Sequence, residues 1–154
     1  MIKVEELQFK SFDDFELAWR WTNPEHAQFS NETISEIKIL SPTSAELIHA
    51  KSMRVMGNYC LDAKQFAYVQ RINTSGSLEN IQCWLNDLPP RSEELVFTSW
   101  SEKICTLTSF EIVKTNWDNF FYPSSDDAIV LPLSEQWVLY YFHEEEFQFG
   151  QRRA

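Results

Sequence analysis

The chain has 154 residues, 44% of them hydrophobic and 15% aromatic, which suffices to bury one core and argues against disorder. Thirteen Lys plus Arg stand against twenty-three Asp plus Glu, and the resulting net charge of −10 repels nucleic acid and anionic membranes while favouring a basic partner or a cation. Cys60, Cys83 and Cys105 are widely spaced and lie outside any CxxC or Cys–His grouping, so they read as reduced structural thiols rather than a disulfide framework or a zinc site.

The opening MIKVEELQFK lacks the basic-then-apolar pattern of a signal peptide, and no apolar run approaches the ~20 residues of a membrane span, so a cytoplasmic location is expected. Ser11-Phe12-Asp13-Asp14 predicts a helix from about Phe12 to Trp21, ended by Asn23-Pro24. Residues 24–33, with His26, read as a loop, and Ile37–Leu40 reads as a strand. Ser41-Pro42 predicts a helix over 42–56, with Thr43 and Glu46 as a second capping box, an apolar stripe through Leu47, Ala50, Met53 or Arg54 and Val55-Met56, and Gly57 as the stop.

Residues 65–72 form a strand or else continue a helix, and Asn73-Thr74-Ser75-Gly76 is a turn. Ser77 caps a helix to about Leu88, closed by Pro89-Pro90. Strands follow at Leu95–Thr98 and Ile104–Leu107. Thr108 and Glu111 form a capping box for a helix near 109–121, whose stripe is Phe110, Val113, Trp117, Phe120 and Phe121 and whose end is set by Pro123.

The last third carries the candidate chemistry. Ser124-Ser125-Asp126-Asp127 is a turn, Ala128–Leu131 a short strand, and Trp137–His143 a strand apolar on both faces, as in the middle of a covered sheet. With residues 133–136 as the loop, Pro132 opposes Trp137 and the register carries Asp126 opposite His143 on one face. Glu144-Glu145-Glu146 turns into the strand Phe147–Phe149, which Gly150 closes. The expected fold is α+β, one domain with a mainly antiparallel sheet of four to six strands and a C-terminal β-meander, flanked by about three to four helices. Parallel β–α units through residues 37–107 are the alternative.

Asp126, Asp127, His143, Glu144 and Glu145, with Ser124 and Ser125, are the candidate binding residues. Carboxylates with an imidazole suit Mn, Mg or Zn, but alternate residues of a strand end face opposite ways, so the expectation is solvated turn acids with His143 paired to Asp126 and no metal or other cofactor. Ser124 and Ser125 near His143 suggest a nucleophile and base, yet serines between a proline and two aspartates are ordinary turn residues. Six tryptophans fall mainly on core stripes, leaving Trp21 and Trp100 beside loops as candidates for an exposed platform. His26 and His49 read as surface residues, and no Gly-rich phosphate loop exists.

Trp117-Asp118-x-Phe120-x-Tyr122-Pro123-Ser124-Ser125-Asp126-Asp127, followed by Trp137-x-Leu139-x-Tyr141-x-His143-Glu144-Glu145-x-Phe147-x-Phe149-Gly150, resembles the C-terminal signature of small proteobacterial proteins classed as domains of unknown function. The resemblance implies a single bacterial domain and brings no catalytic residues with it. Two readings of function follow from the residues. One is an acidic protein-binding module, such as an immunity or inhibitor protein facing a basic partner. The other is a metal-dependent enzyme using the cluster from Asp126 to Glu145. Residues 111–150 hold eight acids against one Lys, a net −7 that places most of the acidic excess in this region.

Overall fold

Short polar connections between apolar runs close three successive hairpins, and these make the middle of the sheet. The computed structural model describes residues 1–154. Its hairpin strands are β4 (Leu95–Ser101), β5 (Ile104–Ser109), β6 (Ala128–Pro132), β7 (Trp137–Phe142) and β8 (Glu146–Arg152). Three earlier strands, β1 (Phe9–Lys10), β2 (Lys38–Leu40) and β3 (Phe66–Asn73), extend the edges, giving eight strands in the order β1-β2-β5-β4-β6-β7-β8-β3. Every neighbouring pair is antiparallel, so the sheet has two more strands than expected and none of the parallel units.

Both faces of the sheet are covered, which is why β6 and β7 are apolar along their whole length. On one face, α3 (Pro42–Met53) packs over β2, β4 and β5, burying Leu40, Ala45, Ile48, Phe97, Ile129, Val138 and Tyr140 in one cluster. The other face carries α4 (Leu78–Asn86), α5 (Phe110–Thr115), α6 (Trp117–Phe120) and an N-terminal segment with α1 (Trp19–Thr22), around Trp21, Trp117, Phe121, Trp137, Tyr141 and Phe147. A further short helix, α2 (Asn31–Ser35), lies where a loop was expected, because Ser30 caps it by accepting from Thr33 N–H.

Three helices depart from their expected form. The stripe expected on α3 is exposed at Leu47 and Met53, and the buried face is instead Ser44, Ala45, Ile48 and Ser52. Small residues let that helix approach the sheet closely, and both serine hydroxyls are satisfied: Ser52 donates to Ile48 O at 2.9 Å and Ser44 accepts from Gln8 N–H at 2.8 Å. The cap is Ser41, accepting from Ser44 N–H, rather than a Thr43–Glu46 box. The helix expected over 109–121 breaks at Asn116 into α5 and α6, since the Asn116 side chain donates to Ile112 O at 2.9 Å and its backbone leaves the helical region. Its cap is Ser109; Thr108 lies on β5 and donates to Glu36 O. Across residues 12–22 only Phe12–Asp14 and α1 are helical, so the expected 12–21 helix is two short turns.

All three cysteines are free: Cys105 is buried, Cys60 half-buried and Cys83 exposed on α4. Trp21 is buried, Trp100 is half-buried, and the exposed tryptophan is Trp19. No helix is long and apolar enough to cross a membrane.

Candidate functional site

The polar residues of the last third sit where the turn 122–127 meets the turn after β7, tied together by Ser124 N–H donating to His143 O at 2.9 Å. Ser124 and Glu145 in these turns adopt positive φ (71° and 63°), a backbone region that side chains other than glycine enter at a cost of about 1–2 kcal/mol. The register of the β6–β7 hairpin is the expected one, with Ala128 opposite Tyr141 and Val130 opposite Leu139. Asp126 and His143, which that register was expected to unite, nevertheless separate, because β6 begins at Ala128 and β7 ends at Phe142, so both lie in the turns beyond the paired residues.

Asp126 turns toward the α6 side and is buried against Arg20. The guanidinium holds it with two bonds, Nη1 to Oδ2 at 2.6 Å and Nη2 to Oδ1 at 3.1 Å, and Tyr122 N–H donates to Oδ2 at 2.8 Å. Arg20 also donates to Phe120 O at 3.3 Å and lies 4.0 Å above the Tyr122 ring, while its Nε is buried without a partner. The expected Asp126–His143 pair is therefore absent, and Asp126 is committed to anchoring the N-terminal segment. Burial raises the Tyr122 hydroxyl above its ordinary range, against the opposing pull of Arg20.

Asp127 turns the other way, toward α3. Its Oδ1 accepts from His143 N–H at 3.0 Å, from His143 Nδ1 at 2.9 Å and from the Tyr140 hydroxyl at 3.1 Å. The carboxylate thus fixes the His143 tautomer with its proton on Nδ1. Burial, then the nearby Asp127 charge, pushes the Tyr140 hydroxyl up, so it stays protonated as that donor. No hydroxyl or thiol hydrogen-bonds to the His143 ring; Ser125 bonds weakly to Tyr122 O and Asp126 at 3.4 Å, and Ser124 reaches His143 only through its backbone. The nucleophile–base arrangement is not formed.

Asp127 and Tyr140 open on a cavity of about 320 Å³ between the C-terminal half of α3, the turn 57–60 and the sheet. Its other walls are His49, Met53, Met56, Gly57, Asn58, Tyr59, Ser99 and Ile129. His49, expected at the surface, is half-buried here with Nδ1 3.3 Å from Ser99 Oγ. Ser99 in turn donates to Ser101 O at 3.2 Å, which leaves His49 Nδ1 as the donor of that pair. His49 and Met53, one helical turn apart, were legible as sharing a face; nothing in the sequence marked Ser99, Tyr59 or Arg20.

On the opposite face a smaller cleft of about 120 Å³ is floored by Trp117, Phe121 and Tyr141 and edged by Thr74, Asp118, Pro123 and Glu145. No family model matches the chain, and no curated protein does either. No three or more His, Cys, Asp or Glu side chains are grouped to hold a metal ion, so Asp126, Asp127, His143, Glu144 and Glu145 do not converge as the alternative metal-enzyme reading requires.

The acidic excess is also redistributed by the fold. Asp126 meets Arg20, Glu146 lies 3.9 Å from Arg71, and Glu135 lies 3.8 Å from Lys51, all cations from outside residues 111–150. Glu144, Glu145 and Asp118 have no ion pair and no side-chain hydrogen bond. Glu144 and Asp118 are exposed, and Glu145 is half-exposed.

Proposed function

We propose that the protein is an acidic binding module whose partner is a basic protein, docked at the end of the sheet where Asp118, Glu144 and Glu145 gather. The observation that carries this reading is that these three carboxylates are left without internal cations while nearby Asp126 and Glu146 are each given one. Asp118 and Glu145 border an aromatic-floored cleft with no Lys or Arg in its lining, a place where an Arg or Lys side chain would gain both carboxylate and ring-face contact. An inhibitor or immunity protein covering the basic surface of a toxin is one such role, because opposite charge accelerates encounter and suppresses wrong partners.

The test is affinity capture from the native host with the wild-type chain and with the triple variant Asp118→Asn, Glu144→Gln, Glu145→Gln as parallel baits. A basic protein retained by the first and lost by the second supports the reading. Recovery of the same proteins by both baits overturns it.

A further inference from the structure

We propose that the cavity between α3 and the sheet binds a small organic amine, its ammonium group on Asp127 and its apolar part against Met53, Met56 and Ile129. This site lies on the face away from the acidic cleft and is independent of the partner reading above.

Apart from the Asn58 amide and the Tyr59 hydroxyl, the polar groups of the lining offer acceptors, and it contains no Lys or Arg. Asp127 Oδ1 is saturated by three donors, but Oδ2 takes only one bond from the protein, from His143 Nδ1 at 3.1 Å. The carboxylate retains solvent access, with its side chain 36% exposed. The Tyr140 and Ser99 hydroxyls have already donated inward, to Asp127 and to Ser101 O, so each offers a guest only lone pairs. His49 commits Nδ1 to Ser99, and in that tautomer Nε2 is left as an acceptor. An ammonium group is the complement of such a wall, since it carries three donors, no acceptor and the charge opposite to Asp127.

Tyr59 supplies a second, independent indication. It is 56% exposed, yet it is held at φ 54°, a conformation that side chains other than glycine and asparagine adopt reluctantly. A tight turn fixes it there, with Gly57 N–H donating to Cys60 O at 2.6 Å, and its ring rests against Phe142 and His143 with centroids 5.7 and 5.6 Å away. Strain of this kind persists where surroundings over-determine it and concentrates at ligand clamps. Here it holds the Tyr59 ring in the wall of the cavity, and a cation is attracted to the face of such a ring. The volume sits at the lower end of the range of about 300–1,000 Å³ typical of small-molecule sites.

The experiment is an NMR titration following the Met53 and Met56 methyl resonances with phenethylamine, with phenethyl alcohol as the neutral match and phenylacetate as the anion. Phenethylamine is expected to shift both methyls and to bind at least about tenfold tighter than the alcohol, as a charge-assisted hydrogen bond implies, while phenylacetate does not bind. Asp127→Asn should abolish the preference for the amine. Because that change also touches Tyr140 and His143, Met53→Lys provides a second test: the position is 48% exposed on α3, lysine is as good a helix former as methionine, and its ammonium would occupy the mouth. Equal binding of amine and alcohol, no shift with any of the three compounds, or an amine preference that survives Met53→Lys would overturn the proposal.

Discussion

Arg20 and Asp126, 106 positions apart, form a bidentate ion pair that is buried on both sides. Removing either partner strands a charge, so Arg20→Met or Asp126→Asn should each destabilise the protein by about 3–5 kcal/mol. Combining Arg20→Met with Asp126→Leu should be milder than adding the two costs, because the unpartnered Arg20 Nε shows that this pair is not fully satisfied. Urea denaturation of the three variants is the measurement.

Trp137 is 3% exposed, packs 4.9 Å from the Phe110 ring and 5.8 Å from the Phe149 ring, and donates its indole N–H to Glu94 at 3.1 Å. Trp137→Ala should cost about 3–5 kcal/mol, as large-to-small changes in a packed core do. Glu94→Gln keeps an acceptor and should cost about 1 kcal/mol. Equal denaturation midpoints for Trp137→Ala and wild type would contradict this account of the core.

Thr98 and Thr106 stand directly opposite each other on β4 and β5, both fully buried, and neither hydroxyl has a partner. A buried unpaired hydroxyl costs about 1–3 kcal/mol, and valine nearly matches threonine in shape. Thr98→Val and Thr106→Val should therefore each raise the melting temperature in calorimetry.

Gly150 lies on β8 between Val69 and Val138, where an added Cβ would come 2.6 Å from the Phe66 ring. Gly150→Ala should destabilise by about 1–3 kcal/mol through overpacking, and Phe66→Leu in the same chain should recover part of that loss. Chemical denaturation of the single and double variants checks both statements.

For a captured basic partner, the association rate should fall steeply as salt rises, because charge steering is screened within about 8–10 Å at physiological ionic strength. Asp118→Asn, Glu144→Gln and Glu145→Gln should each slow association and leave thermal stability within about 0.5 kcal/mol, as expected of unpaired surface groups. Asp127→Asn belongs to a different class, since its carboxylate orients Tyr140 and His143. Stopped-flow kinetics at several salt concentrations separates the two.

The register of the β6–β7 hairpin was legible, because Leu133-Ser134-Glu135-Gln136 interrupts two apolar runs and leaves one register that buries both. The helices that begin at Ser41-Pro42 and Ser77 were legible through their caps. The buried face of α3 was not, since Ser44 and Ser52 read as polar until their hydroxyls are seen to be satisfied by Gln8 and Ile48. β1, two residues long, carries no periodicity at all. In the candidate site, Asp127 and His143 were visible, but their partners were mis-assigned, because the strand ends at Phe142 and the chain turns before Asp126 and His143 can face each other. Arg20, Ser99 and Tyr59 come from distant segments, and only tertiary structure brings them to the aspartates.

The pairing of β3 with β8 sets an order of events on the ribosome. Phe66 is aligned with Arg152, so β3 leaves the exit tunnel long before the strand that covers its edge. Until then Phe66, Val69 and Ile72 sit on an unpaired strand, the kind of edge that recruits other chains. The local hairpins β4–β5 and β6–β7–β8 can close as they are made, and β3 docks last. Nascent chains stalled just before Phe147 should therefore aggregate or bind chaperones, whereas chains released past Arg152 should not.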